Sequence, residues 1–527
     1  MMRIWAAGLA GLALAGCGAP SADISERVLH RGNELEPLSL DPHIAYITGE
    51  RQIVVDLFAG LYQPDARGRP VLALASEAAV SDDGLRWTFT LADAVWSDGA
   101  PITAQDVVFG LRRALDPATR NPYPTKLFVL RGAQAISEGR APLETLGAEA
   151  LDARTVVLHL EHPAPYLPSV LAVWGQPVPS HVIETHGEDW TRPEHIVVSG
   201  AFDLVRWRSN DLIELERNDR FFDADQVCLD RVYYYPTVDT AAAERRVRNG
   251  ELDLNTEFTG ANLAFLRERH DDLVDISPGL VVRSISFNTA SAIGGDARVR
   301  TALGMAIDRR FIAGDILAGA DAAATRYVPD GVTGRAGGPR LSYADQAMDA
   351  RRAEARRRLE AAGYGPNAPL ALTLYYQPSA GWPRVAPVIQ QDWSLIADWV
   401  EVEIAVRDSQ LHYDAMRSGD YVAATSGWVG DFDDPYAYLL QFGADAGDIN
   451  FSRWSDPAYD AVLRAALMNP DTQERSEQLA RAEQIFLDAG PETPVFIEST
   501  KALVSPAVKG WGSSPWQINP SRRLCVE

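Results

Sequence analysis

The stretch Gly427-Trp428-Val429-Gly430-Asp431-Phe432-Asp433-Asp434-Pro435 decides how the rest of this chain is read. It follows a short apolar run, residues 421–425, that predicts a buried strand. The stretch is therefore expected as the loop beyond a strand's carboxyl end, where open α/β sheets place their ligands. Gly427 has no Cβ and lets another backbone come close. Trp428 offers a flat apolar surface with one N–H donor. Asp431 sets a carboxylate beside them, and a carboxylate pairs best with an ammonium or guanidinium. Together these parts suit the amino end of a peptide. Asp433-Asp434-Pro435 also reads as a plain solvated turn, since Asp and Pro are ordinary turn residues.

The flanking sequence alternates strand and helix. Residues 370–376 and 400–406 predict strands around a helix over 385–399, whose apolar side carries Val388, Ile389, Trp393 and Ile396. A unit of this size implies a parallel, right-handed crossover. A helix over 411–417 and the strand at 421–425 repeat it. Asp296 caps a helix predicted through Val299, Leu303, Ile307 and Phe311. A strongly charged helix over 348–362 ends at Gly363, a natural C-cap. A helix over 475–489 and a strand over 494–499 follow. Before residue 280 the pattern is mixed and strand-rich, with alternation at 85–91, 154–160 and 212–216. Thr103 caps a helix there, with Asp106 in capping-box position.

A chain of 527 residues is too long for one core, so two or three domains are expected. The net charge of −23 argues against nucleic acid as a partner, because phosphate backbones need basic patches. The basic residues are nearly all Arg. Enzyme signatures are missing: there is no G-x-S-x-G elbow, P-loop, H-E-x-x-H or C-x-x-C. Asp431, Asp433 and Asp434 could in principle supply a carboxylate pair for glycoside hydrolysis, but acids clustered on one short loop are more often binding or turn residues, and no catalytic residue, metal ligand or cofactor is expected. At the start, Arg3 precedes an apolar run, residues 4–15, too short to span a bilayer. It ends in Leu14-Ala15-Gly16-Cys17, which resembles the lipobox of bacterial lipoproteins. That resemblance implies a leader over 1–16 and lipidation of Cys17, an anchor that does not cross the membrane.

The order and spacing of several stretches carry a second resemblance. They are Ser39-Leu40-Asp41-Pro42-His43, Trp96-Ser97-Asp98-Gly99-Ala100-Pro101-Ile102-Thr103-Ala104, Ser199-Gly200-Ala201-Phe202, Val299 to Leu303 with Ala306 to Arg309, and the 427–435 stretch. With these the chain resembles the periplasmic peptide-binding proteins that feed ABC importers, the oligopeptide and dipeptide branch. The resemblance implies an α/β fold of two hinged lobes, the type II-like periplasmic binding protein fold, with a small α+β domain inserted in lobe one. Lobe one would take 17–58, 180–280 and 500–527. The small domain would take 59–179, and lobe two 281–499. It implies a monomer in the periplasm that closes over its ligand and docks on an inner-membrane permease. An extended peptide would lie along Gly427, Trp428 and Val429, with its ammonium on Asp431. Tyr123 would reach the cleft from the small domain, and Tyr46, Ile47 and Thr48 would offer backbone contacts from lobe one.

The family fold brings the chain's end near the sheet holding Cys228, so Cys228 and Cys525 are a candidate disulfide, the other reading being two unpaired thiols. One departure matters. Oligopeptide binders of this type place cations near the ligand's carboxylate end, but the matching positions here are Leu317, Trp382 and Thr425. The aromatic run such binders carry near Arg283-Ser284-Ile285 is also missing. A longer peptide, a modified peptide or a non-peptide cation therefore stays open. So do a sugar, opine or metal-chelate ligand in the same fold and, further off, a hydrolase.

Overall fold

Two long strands, Val274–Phe287 and Glu492–Val504, run antiparallel through most of the molecule. The computed structural model describes residues 26–527, so the leader and Cys17 lie outside the described residues. Pairing of the two strands runs from Val274 opposite Leu503 to Ser286 opposite Glu492. It breaks between Ser277 and Val281, where the chain reads Ser277-Pro278-Gly279-Leu280. Pro278 has no N–H to give to a ladder. Gly279 is required, since a Cβ there would stand 1.9 Å from the Glu498 carbonyl oxygen. On one side of this bulge Val282, Ile285, Val495 and Phe496 enter one core; on the other, Ala502 and Val504 enter a second.

The sheet containing these strands has eleven members. Towards lobe two it continues through Ala423–Val429, Leu370–Tyr376 and Val400–Val406. These three pair parallel, as the strand–helix–strand pattern requires. Towards lobe one it continues through Leu254–Asn255, Val28–Gly32, Arg231–Tyr235, Leu212–Arg217 and Phe202–Arg208. A separate four-stranded antiparallel sheet, built within residues 75–159, packs on helices Ala104–Leu115 and Leu167–Trp174 around Phe89, Leu111 and Leu171. Trp96 and Ile102 fall in the range expected for this small domain but pack in the lobe-one core with Phe58 and Phe202.

Several expected elements differ in extent. The strand expected at 421–425 is Ala423–Val429, so Gly427, Trp428 and Val429 are strand residues and the loop begins at Gly430. The strand expected at 494–499 is Glu492–Val504, because it serves both cores. The helix expected through Phe311 stops at Ala306. Arg309 ends it: its buried guanidinium bonds the freed carbonyls of Gly304 and Ile307, at 3.0 and 3.3 Å, and that of Pro494 at 2.7 Å. The helix expected at 385–399 is Trp382–Ser394, started by Gly381 at φ +77° and by Pro383 in the first turn.

The stretch Ser39 to His43 is a structural hub. Asp41 accepts two bonds from Arg113 of the small domain, 3.0 and 2.6 Å, and one from Trp190 Nε1 at 3.1 Å. Burial alone would raise the Asp41 carboxyl, but the Arg113 bonds outweigh it and hold it below its usual range. Burial also drives His43 down to about 4, so the ring is neutral at pH 7.

Cys228 and Cys525 are joined in the structure, Cα atoms 5.3 Å apart, tying the carboxyl end to lobe one. Titration of the unfolded, unreduced protein is expected to find neither thiol reactive. Replacing both by Ser is expected to lower stability by about 2–5 kcal/mol in urea unfolding.

In lobe two, Glu483 is buried and accepts the N–H groups of Tyr327 and Val328, each at 2.9 Å. Burial raises its carboxyl from 4.5 to about 7 against the pull of those bonds. Its protonated form is thus favoured by folding. That contribution is fully present below about pH 4.5 and is lost as pH rises through 7. Glu483→Gln keeps the acceptor and removes the charge. Between pH 4.5 and 8 the native protein is expected to lose about 3 kcal/mol more than this variant, read by urea unfolding at each pH.

Candidate functional site

Lobe one, the small domain and lobe two meet around a cavity of about 310 Å³. Helix Thr48–Leu57 of lobe one brings Thr48 and Arg51, preceded by Tyr46. The small domain brings Tyr123, Lys126 and Trp174, and lobe two brings Val429 to Asp433. Of the residues singled out from the sequence, Asp431, Val429, Tyr123, Tyr46 and Thr48 line this cavity, whereas Gly427, Trp428 and Ile47 do not.

The roles of those three change. The space above Gly427 is filled by its cross-strand partner: a Cβ there would stand 2.4 Å from Arg283 Nη1. Arg283 in turn bonds Glu498, 2.7 Å from Nε. Gly427 therefore makes room for a side chain of its own lobe. Trp428 donates Nε1 to the Ala437 carbonyl at 2.8 Å and is committed to lobe two. The N–H groups of Tyr46 and Ile47 donate to the Glu50 carboxylate, 2.8 and 3.3 Å, so they are not free for a ligand. Glu50 also accepts from Leu38 at 2.7 Å, which fixes this loop ahead of the helix. Tyr46 and Tyr123 instead offer half-exposed rings, centroids 5.6 Å apart, from opposite walls.

Asp431 is on the wall but not alone. Its carboxylate pairs with Lys126, whose ammonium also lies 5.4 Å from the Tyr123 ring and 5.7 Å from the Trp174 ring. The Lys126 side chain is 9% exposed against 36% for Asp431. Sequence reasoning passed over this lysine. The signal was its rarity: three lysines stand among 49 basic residues, at 126, 501 and 509. Arg51 sits behind, 4.6 Å over the Trp174 ring, donating to the Pro42 carbonyl at 2.8 Å and to Gln176 Oε1 at 3.2 Å. Burial pulls its guanidinium below the usual range, though it stays charged at neutral pH.

The Asp433-Asp434-Pro435 turn is not solvated throughout. Arg475 grips Asp434 with two bonds, 2.7 and 2.9 Å, and both side chains are almost fully buried. Burial pushes the Asp434 carboxyl up against that pull. Asp433 accepts both donors of Thr333, 2.8 and 2.5 Å. Phe432 stacks on Tyr166 of the small domain, centroids 4.1 Å apart.

A second cavity of about 430 Å³ lies nearer the hinge and is lined by Glu34, Glu257, Glu498, Lys501 and Arg384. Lys501 is held by Asp321 at 2.7 Å. Burial, reinforced by Glu257, raises the Glu34 carboxyl; burial, reinforced by Glu498, raises that of Glu257. Leu317, Trp382 and Thr425, the positions without cations, are all buried. Among the described residues no cluster of His, Cys, Asp or Glu suits a metal, and no helix is long and apolar enough to cross a membrane.

The sequence profile of the bacterial extracellular solute-binding proteins, family 5 (Middle), matches residues 69–450. The periplasmic murein peptide-binding protein MppA of Escherichia coli is 31% identical over 97% of this chain and 94% of its own. The periplasmic oligopeptide-binding protein OppA of the same organism is 31% identical over 99% of this chain and 98% of its own. A probable deoxycholate-binding periplasmic protein of that organism, YgiS, is also 31% identical, over 92% of this chain and 91% of its own. In three dimensions the unliganded open form of MppA superposes with a TM-score of 0.85 at 30% identity, covering 95% of this chain and 98% of that one. Haemophilus influenzae OppA in complex with the peptide RPPGFSPFR gives 0.76 at 27% identity, covering 95% of this chain and 99% of that one.

The Asp434–Arg475 pair holds the loop that carries Asp431. Asp434→Ala leaves a buried guanidinium without its anion and is expected to cost about 3–5 kcal/mol in urea unfolding. The double variant Asp434→Ala, Arg475→Met is expected to recover much of that loss.

Proposed function

This chain belongs to the bacterial extracellular solute-binding proteins of family 5, and on that premise we propose that it captures peptides by their amino end and delivers them to an ABC permease. Supporting this reading are the names of its relatives, murein peptide-binding and oligopeptide-binding proteins, which are also named as periplasmic. The periplasm is accordingly the proposed compartment, with a lipid on Cys17 as the proposed anchor and the monomer as the working form.

The observation that carries the proposal is the free edge of strand Ala423–Val429. One edge pairs with Val274–Phe287 along its whole length. The other pairs with Leu370–Tyr376 only at Ala423 and Ala424. Beyond the Thr425 carbonyl, which is bonded to His412 Nε2 at 2.7 Å, the remaining edge ends at Val429 on the cavity wall, two residues before Asp431. An extended chain added there would gain main-chain bonds that read no sequence. Its α-ammonium would reach the Asp431 carboxylate, and closure of the lobes would exclude the water that weakens such a pair. The second reading is a non-peptide solute in the same cleft, favoured by the relative named for deoxycholate at the same identity.

Calorimetry of protein lacking residues 1–17 tests this, with a tri- to pentapeptide pool and its N-acetylated counterpart. The free-amine pool is expected to bind, the acetylated pool not, and Asp431→Ala is expected to lose binding. Equal binding of both pools would overturn amino-end capture. No binding of either would favour the second reading, with mass spectrometry of co-purified species as the next measurement.

A further inference from the structure

The charge balance of the first cavity goes beyond an ammonium anchor. Asp431 already has an ammonium, that of Lys126, delivered from the opposite wall. This lysine is a built part of the site: its stem is buried and its head lies against two aromatic rings. Its other charged neighbours on the wall are Asp433, whose carboxylate already accepts both donors of Thr333, and Arg51, whose buried Nε has no partner. A ligand ammonium that takes the Asp431 carboxylate from Lys126 leaves the lysine without its direct ion pair in a confined pocket. A neutral-tailed peptide then trades one ion pair for one. A peptide that also carries a carboxylate close to its amino group trades one pair for two, ammonium on Asp431 and carboxylate on Lys126.

The hinge-side cavity is of mixed charge: Glu34 and Glu257 face it, Glu498 is bonded by Arg283, Lys501 is bound to Asp321, and Arg384 donates to the Ile316 carbonyl. Leu317, Trp382 and Thr425 give a distant carboxylate no cation. Side chains of an extended peptide advance about 3.3 Å per residue, so a carboxylate on residue one or two stays within reach of a lysine that touches Asp431.

Resting on the peptide reading above, we infer that Lys126 is a specificity-determining residue that selects peptides carrying an acidic group within their first two residues. Lys126 acts by exchange: it satisfies Asp431 in the empty protein and accepts the ligand's carboxylate in the loaded one.

The test is calorimetry of the protein lacking residues 1–17 against four free-amine tripeptides: Glu-Ala-Ala, Gln-Ala-Ala, Ala-Glu-Ala and Ala-Gln-Ala. In the native sequence one acidic peptide is expected to bind at least about tenfold tighter than its amide twin, the scale of one charge-assisted contact. In Lys126→Met the amide peptides should tighten and the ratio should fall below about twofold, because the competitor and the cation are both gone. Lys126→Arg should keep the ratio. Thermal melting reports whether the Met variant folds; if it does not, the native and Arg ratios still decide. Equal affinities in the native protein, or an unchanged ratio in a folded Met variant, overturn the inference while leaving amino-end capture standing. Absence of binding to all four peptides overturns both.

Discussion

Everything in this molecule hangs on two paired strands that run from one core to the other. Glu492–Val504 commits Val495 and Phe496 to one core and Ala502 and Val504 to the second, while Val274–Phe287, paired along it, commits Val282 and Ile285 to the first and lays Val274 and Ile276 against a small cluster around Leu252 and Leu503. Between those commitments the ladder is interrupted by Pro278 and Gly279. A bulge bends and twists the strand that carries it. Flexing is therefore cheapest between Ser277 and Val281, where the fewest backbone bonds resist it.

The small domain links the other ends of the lobes. It is fastened to lobe one by Asp41 and Arg113, a pair further locked by Trp190. To lobe two it presents flatter contacts: Tyr166 on Phe432, and Lys126 on Asp431. A stacked ring pair and one partly exposed ion pair hold far less firmly than a bidentate, buried one. This asymmetry makes the lobe-two side the separable one. The loop that carries Asp431 stays with lobe two, because Arg475 grips it from beneath.

The electrostatics repeat this division. In a chain with three lysines, two line the cavities between the bodies, and each already holds an aspartate. A lysine head is a compact charge on a flexible stem, so it can change partners without rebuilding the wall. Arginines here do the opposite work: Arg51, Arg309 and Arg475 are buried and tie backbone or carboxylate groups in place.

The sequence by itself determined the parallel unit of strands 370–376, 400–406 and 421 onward and the helix caps at Asp296 and Thr103, which follow from periodicity and local chemistry legible along one chain. The two-lobed class of fold and the ligand-facing role expected of Asp431 came from the family resemblance that the chain's motifs carry. Only the tertiary structure decided where strands ended and what each polar group met. Ala423–Val429 runs on past Thr425 because Val274–Phe287 lies beside it, and Glu492–Val504 is long because two cores claim it. Gly427 is small for Arg283, Ile47 gives its N–H to Glu50, and Asp434 is buried on Arg475. Lys126 and Asp431 stand 305 positions apart in the chain, and no local pattern joins them. Partners that far apart are chosen by packing, and packing is settled only once the three bodies meet.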